Sequence, residues 1–236
     1  MEQCTAIVLA AGAGKRMKSA VAKQYMLLDG KPILWYALNA FERSEYIHQV
    51  ILVVGAGEIP FCQKDIVESF GFKKVTKIVE GGAERYLSVW EGLKCLKPEE
   101  GNYVFVHDGA RPFVTEEIIC SAYEAVKEHG ACVVGMPVKD TIKVADADGF
   151  AAQTPNRRTL WAVQTPQVFD ELLIYSAYEK VVHSLGELKE KGVEITDDAM
   201  VVETMTNRKV RLIKGSYENI KITTPEDILV AQSFLK

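Results

Sequence analysis

Residues 5–23 read TAIVLAAGAGKRMKSAVAK. Positions 5–9 suit a buried strand, and small residues, glycines and cations follow at once. A strand that runs straight into such a turn opens a βα unit whose backbone N–H groups can approach phosphate oxygens. The same alternation extends outward, with strands expected at 50–54, 75–79, 103–106 and 131–136. Between them lie helical patterns at 33–43, entered through Pro32, and at 115–128. There Thr115 is placed to cap the helix, and Glu116 and Glu117 favour the positive end of its dipole. Alternating strands and helices predict an α/β fold with a mostly parallel sheet. Ligands of such sheets bind at the carboxyl ends of the strands, which puts the loops after Leu9, Val79 and Val106 on one rim.

The pattern breaks at 137–167. Stretches 141–145 and 150–154, joined across 146–149, read as a projecting β-hairpin arm. Its apolar residues are too few for a core of its own, so it is expected to pack on something else, such as a second subunit. The α/β pattern then resumes with a strand at 210–214 and a last helix capped by Thr224, with Pro225 at its first position.

The chain has 236 residues, 48% hydrophobic and 25% charged, which predicts one globular domain over 1–236 rather than disorder. Lys plus Arg number 28 against 32 acids, a net charge of −4, so a nucleic-acid partner gains no support. Five scattered cysteines without a C-x-x-C pair read as reduced thiols. With no basic, apolar leader and no membrane-length apolar run, the expected address is the cytoplasm, away from membranes.

The first loop matches neither common nucleotide fingerprint. A P-loop ending at Gly14-Lys15 needs Gly where Leu9 stands and a hydroxyl residue where Arg16 stands; a Rossmann fingerprint from Gly12 fails at Met17. What the loop adds is charge, with Lys15, Arg16 and Lys23 as countercharge for a triphosphate, unless they are ordinary surface cations. The second loop, Gly81-Gly82-Ala83-Glu84-Arg85, opens a helix and suits a phosphate, the close approach of a base and ribose, or a plain turn. In the third, His107-Asp108-Gly109-Ala110-Arg111-Pro112, Asp108 is a natural Mg²⁺ ligand beside phosphates. His107 reads as a hydrogen-bonded structural histidine.

Together these stretches form a set: Ala10-Ala11-Gly12 with Gly14, Arg16-Met17, Lys23-Gln24-Tyr25, Gly81-Gly82, Glu84-Arg85 and Ser88-Val89. The set continues with residues 107–112, Asp140-Thr141, Thr165-Pro166-Gln167, Thr196-Asp197 and Asn219-Ile220-Lys221. In order and over nearly the whole length, the chain resembles the 2-C-methyl-D-erythritol 4-phosphate cytidylyltransferases of the non-mevalonate isoprenoid pathway. The resemblance implies a single Rossmann-like sheet of the nucleotide-diphospho-sugar transferase type. It implies transfer of CMP from CTP to the polyol phosphate, giving 4-diphosphocytidyl-2-C-methyl-D-erythritol and pyrophosphate.

By the same resemblance Ala10, Ala11, Gly12, Gly14 and Gly109 would contact CTP, with Gly82 and Ser88 near its cytosine and ribose. Arg16 and Lys23 would stabilise charge at the α-phosphate, and Asp108 would sit near Mg²⁺. Arg157 and Lys221 would position the polyol phosphate, helped by Arg111, Thr141 and Thr165. The arm would reach across a homodimer so that Arg157 and Thr141 serve the partner's site. Ala83 departs from relatives that carry Asp there, which leaves CTP selectivity more dependent on backbone groups. Ribitol-5-phosphate cytidylyltransferase and a non-catalytic nucleotide-binding protein of the same fold are the alternatives.

Overall fold

The computed structural model describes residues 2–12 and 22–235. The chain begins with β1 (Cys4–Ala10), a 3₁₀ turn at Lys23–Tyr25, the short pair β2 (Leu27–Leu28) and β3 (Lys31–Pro32), and α1 (Ile33–Arg43). There follow β4 (Gln49–Val54), α2 (Ile59–Phe61) running into a π-helical turn at Cys62–Glu68, β5 (Val75–Glu80), α3 (Arg85–Leu93), β6 (Tyr103–Asp108) and α4 (Glu116–His129). The second half comprises β7 (Ala131–Pro137), β8 (Val144–Ala145), β9 (Ala151–Gln153), β10 (Trp161–Asp170), α5 (Glu171–His183), α6 (Leu185–Glu190), α7 (Asp198–Thr206), β11 (Arg211–Lys214) and α8 (Pro225–Phe234).

Among the described residues seven strands form one sheet in the order β11-β7-β10-β6-β1-β4-β5. The pairs β1/β4, β1/β6, β4/β5 and β11/β7 are parallel, whereas β10 runs antiparallel to both β6 and β7. The sheet is therefore mixed but mostly parallel, with helices on both faces. Successive residues of β1 show why both faces need cover. Ala6 and Val8 pack with Leu34 and Leu38 of α1 and Ile119 of α4, while Ile7 packs with Val89 and Leu93 of α3, Tyr178 of α5 and Val201 of α7.

The sequence-based strands at 5–9, 50–54, 75–79, 103–106, 131–136 and 210–214 all appear, within two residues at either end. Thr115 Oγ1 accepts from the Ile118 N–H, and Thr224 with Asp227 forms a capping box at α8. Two features differ. Residues 161–167, expected in the arm, belong to β10 in the centre of the sheet, where Gln164, Thr165 and Gln167 are buried. The hairpin strands shrink to β8 and β9, joined by a turn in which Asp146 Oδ1 accepts from the N–H groups of Asp148 and Phe150. Residues 139–154 are exposed throughout.

All five cysteines are free thiols, three of them buried. No helix among the described residues is long and apolar enough to cross a membrane.

Candidate active site

Parallel register sets the rim. Leu9 of β1 lies opposite Asp108 of β6, the Gly81 N–H bonds to Val54 O at the end of β4, and the Gly109 N–H bonds to Leu9 O at 2.8 Å. The loops after β1, β5 and β6 thus open side by side, as the strand alternation predicted. They enclose a cavity of about 360 Å³. Ala10, Ala11, Gly12, Lys23 and Gln24 line one side, and Gly82, Ala83, Glu84, Arg85 and Ser88 line another. Asp108, Ala110 and Lys221 close it.

Small residues are needed here for packing reasons. A Cβ on Gly81 would come within 2.6 Å of both Ala11 Cβ and Ser88 Oγ; one on Gly109 would meet Leu34 Cδ1 at 2.8 Å and Leu9 O at 3.0 Å. The Lys23 turn is anchored by Gln24, whose buried Nε2 donates to Ala10 O at 2.6 Å. Tyr25 continues the anchor, its hydroxyl donating to Glu58 at 2.7 Å.

At the centre of the rim sits a cluster of charges. Asp108 Oδ1 faces Arg85 Nε at 3.3 Å, and Oδ2 faces Lys221 Nζ at 2.8 Å and Arg111 Nε at 3.8 Å. Burial alone would raise the pKa of Asp108, but Arg85, Lys221 and Arg111 outweigh it and hold the carboxyl well below the usual range. Arg85 also holds Asp198 through both guanidinium ends, at 2.9 and 2.8 Å. Its burial opposes the charge, yet Asp198 and then Asp108 raise its pKa well above the ordinary value. Three cations against two carboxylates leave the cluster with one net positive charge, suited to an anionic substrate.

Lys221 reaches this position because the Ile222 N–H bonds to Ala110 O, tying the segment after β11 to the loop after β6. Arg111 is braced by its Nη1 bond to Asn219 O at 2.8 Å, and Asn219 itself is fully buried, donating to Gln164 Oε1 and Thr165 O. His107 is buried, with one ring nitrogen against Thr165 Oγ1 and the other against Arg111 O, both at 3.1 Å. Burial lowers its pKa to about 4, so it is neutral at physiological pH. Thr165 is buried behind Asp108, its hydroxyl accepting from the Asp108 N–H.

Of the residues singled out in the sequence, Ala10, Ala11, Gly12, Lys23, Gly82, Ser88, Asp108 and Lys221 line the cavity, with Gly109, Arg111 and Thr165 packed against it. Gly14 and Arg16 lie outside the described residues. Thr141 and Arg157 stay on the exposed arm, where Arg157 Nη1 bonds to Lys139 O, and do not line this cavity. Arg85 and Gln24, quoted in the motifs without a role, prove to be central. Arg85 meets its second carboxylate 113 residues away, a pairing that no local pattern announces.

A divalent cation finds a poor fit in the protein groups themselves. Asp108 is a single carboxylate already matched by three cations, and the described residues hold no cluster of three or more acidic, His or Cys side chains able to seat a metal.

Comparison with known proteins gives the geometry its context. The family model for 2-C-methyl-D-erythritol 4-phosphate cytidylyltransferase matches residues 4–236. A protein of that name from Lachnoclostridium phytofermentans is 48% identical over 236 residues, spanning 100% of this chain and 97% of the relative. Another, from Lachnospira eligens, is 51% identical over 234 residues, spanning 98% and 99%. Among solved structures, 4-diphosphocytidyl-2C-methyl-D-erythritol synthase from Anaerococcus prevotii superposes with a TM-score of 0.83 at 36% identity, over 99% of this chain and 96% of that one. A cation-ringed cavity at the carboxyl rim of a mixed sheet, matched end to end in sequence and fold, places this chain in the 2-C-methyl-D-erythritol 4-phosphate cytidylyltransferase family.

Proposed function

We propose that the protein transfers CMP from CTP to 2-C-methyl-D-erythritol 4-phosphate, giving 4-diphosphocytidyl-2-C-methyl-D-erythritol and pyrophosphate for isoprenoid precursor synthesis. The observation that supports this most directly is the juxtaposition of the Ala10–Gly12 turn and Lys23 with the Asp108, Arg111 and Lys221 cluster on one rim. The first group suits a triphosphate, with Gly82 and Ser88 at the base and ribose. The second suits a phosphorylated polyol, in which Asp108 can accept hydroxyl hydrogens while Lys221 and Arg111 face the phosphate.

An oxygen of the acceptor phosphate attacks the α-phosphorus of CTP in line, and the bond from that phosphorus to the bridging oxygen of the β-phosphate breaks. A phosphate monoester is already largely dianionic at neutral pH, its second pKa being about 6, so the attack needs no proton removal. A neutral, fully engaged His107 is consistent with that economy. Lys23 and Arg16 offset the repulsion between two anions, and Lys221 and Arg157 hold the attacking phosphate in place. Mg²⁺ would lend the triphosphate countercharge; of the protein groups, Asp108 is the carboxylate that would face it, and no step here depends on it. The whole chain acts as one catalytic domain, and the arm joins two copies so that Thr141 and Arg157 complete the neighbouring site.

The test is pyrophosphate release from CTP and Mg²⁺ with each of two acceptors. Turnover with 2-C-methyl-D-erythritol 4-phosphate is expected. A preference for ribitol 5-phosphate, or CTP binding without turnover of either acceptor, would overturn the assignment.

A further inference from the structure

Arg85 opens α3 and joins two carboxylates that lie far apart in the chain. Both ends of its guanidinium donate to Asp198, and its Nε donates to Asp108 Oδ1. Asp198 is fully buried at the first position of α7, and the Tyr178 hydroxyl from α5 donates to the same carboxylate. A planar, two-pronged pair of this kind leaves the guanidinium a single orientation.

That orientation has an effect on Asp108. With Oδ1 taken by a donor that cannot swing away, the carboxylate plane is set, and Oδ2 is turned to Lys221 at 2.8 Å and Arg111 at 3.8 Å. A salt bridge serving only to join α3 to α7 would need the Asp198 contacts and nothing more. The third contact, directed at the cavity wall, is the one that a joining role leaves unexplained.

We infer that Arg85 is a positioning residue for the acceptor half of the site: clamped by Asp198 and Tyr178, it orients Asp108, and through Asp108 the placement of Lys221 and Arg111. The role rests on the acceptor chemistry proposed above. Because the bonded N–H groups of Arg85 are committed to Asp198 and Asp108, its loss acts on the polyol phosphate and leaves CTP recognition in place.

Steady-state kinetics on Arg85→Lys, which keeps the charge and loses the fork, gives the test. The KM for 2-C-methyl-D-erythritol 4-phosphate is expected to rise on the order of tenfold while that for CTP stays within about twofold. In an Asp108→Asn background the same substitution is expected to add less than about a twofold further loss, since Arg85 acts through the carboxylate that is gone. Equal rises in both KM values, or losses that multiply across the two positions, would overturn the role. Should Arg85→Lys fail to fold, Tyr178→Phe carries the same KM comparison with a smaller rise and the same overturning result. An inactive wild-type chain would overturn the acceptor reading and this role with it, whereas an active one isolates Arg85.

Discussion

Lys23 stands at the start of a short turn whose next residue, Gln24, is bonded to the end of β1, so its place on the rim is set by backbone rather than by its own long side chain. Lys23→Ala is expected to lower pyrophosphate release on the order of a hundredfold or more with an unchanged thermal melt. Near-normal release would remove this lysine from the chemistry. His107 makes a different claim, on stability. Its pKa of about 4 in the fold compares with about 6.5 when unfolded, so between those values only the unfolded chain takes up the proton. Stability is therefore lost as pH falls from about 6.5 to about 4, by up to about 3 kcal/mol. Glu171, raised by burial to about 7, works in the opposite direction, so wild type alone does not isolate the effect. Urea midpoints at pH 7 and pH 5 for wild type and His107→Gln do so. The variant should lose less stability on acidification, and an unchanged difference would mean that His107 becomes charged in the fold.

At the level of elements, the loop after β6 meets β1 through a narrow passage at Gly109. Gly109→Ala would drive a methyl group against Leu9 O and Leu34, and neither a backbone carbonyl nor a buried leucine yields cheaply. A loss of about 1–3 kcal/mol is expected in denaturant unfolding, with a fall in turnover as Asp108 is displaced. Wild-type stability would show that the loop relaxes without strain. The same scale explains what was legible in the sequence. The runs forming β1, β4, β6 and β7 are apolar on both faces, so they announce themselves. β10 does not, because Gln164, Thr165 and Gln167 are buried polar residues and Pro166 interrupts the run; their partners are the Ser216 carbonyl, the Asp108 N–H, Asp197 and the Ala199 N–H, all distant in sequence. The cavity-lining glycines and Lys23 are legible as small residues and charge suited to phosphates, although they follow no common fingerprint. Arg85, Gln24 and Asn219 act through tertiary hydrogen bonds and are not legible.

For the whole molecule, the proposed arm exchange makes a quantitative prediction. If Arg157 serves the partner's site and Lys23 serves its own, then Lys23→Ala and Arg157→Ala chains, each inactive alone, restore function when mixed and refolded together. Half of the resulting dimers are mixed and each has one intact site of two, so about a quarter of wild-type turnover is expected. No recovery would place both residues in a site built by one chain. The exposed Phe150, at 72% accessibility, together with Val144 and Ile142, gives the arm an apolar face for such a partner.

The reversed direction of β10 has an outcome for how this scaffold can change over time. Since β7 ends and β10 begins at adjacent register positions, Pro137 opposite Trp161, the chain leaves and re-enters the sheet at the nucleotide rim. Whatever lies between is an excursion pinned at both feet, and its length and composition can drift without disturbing the pairing of the seven-stranded sheet. Residues 138–160 can therefore be rewritten while the sheet, and the rim residues seated on β1 and β6, are inherited intact.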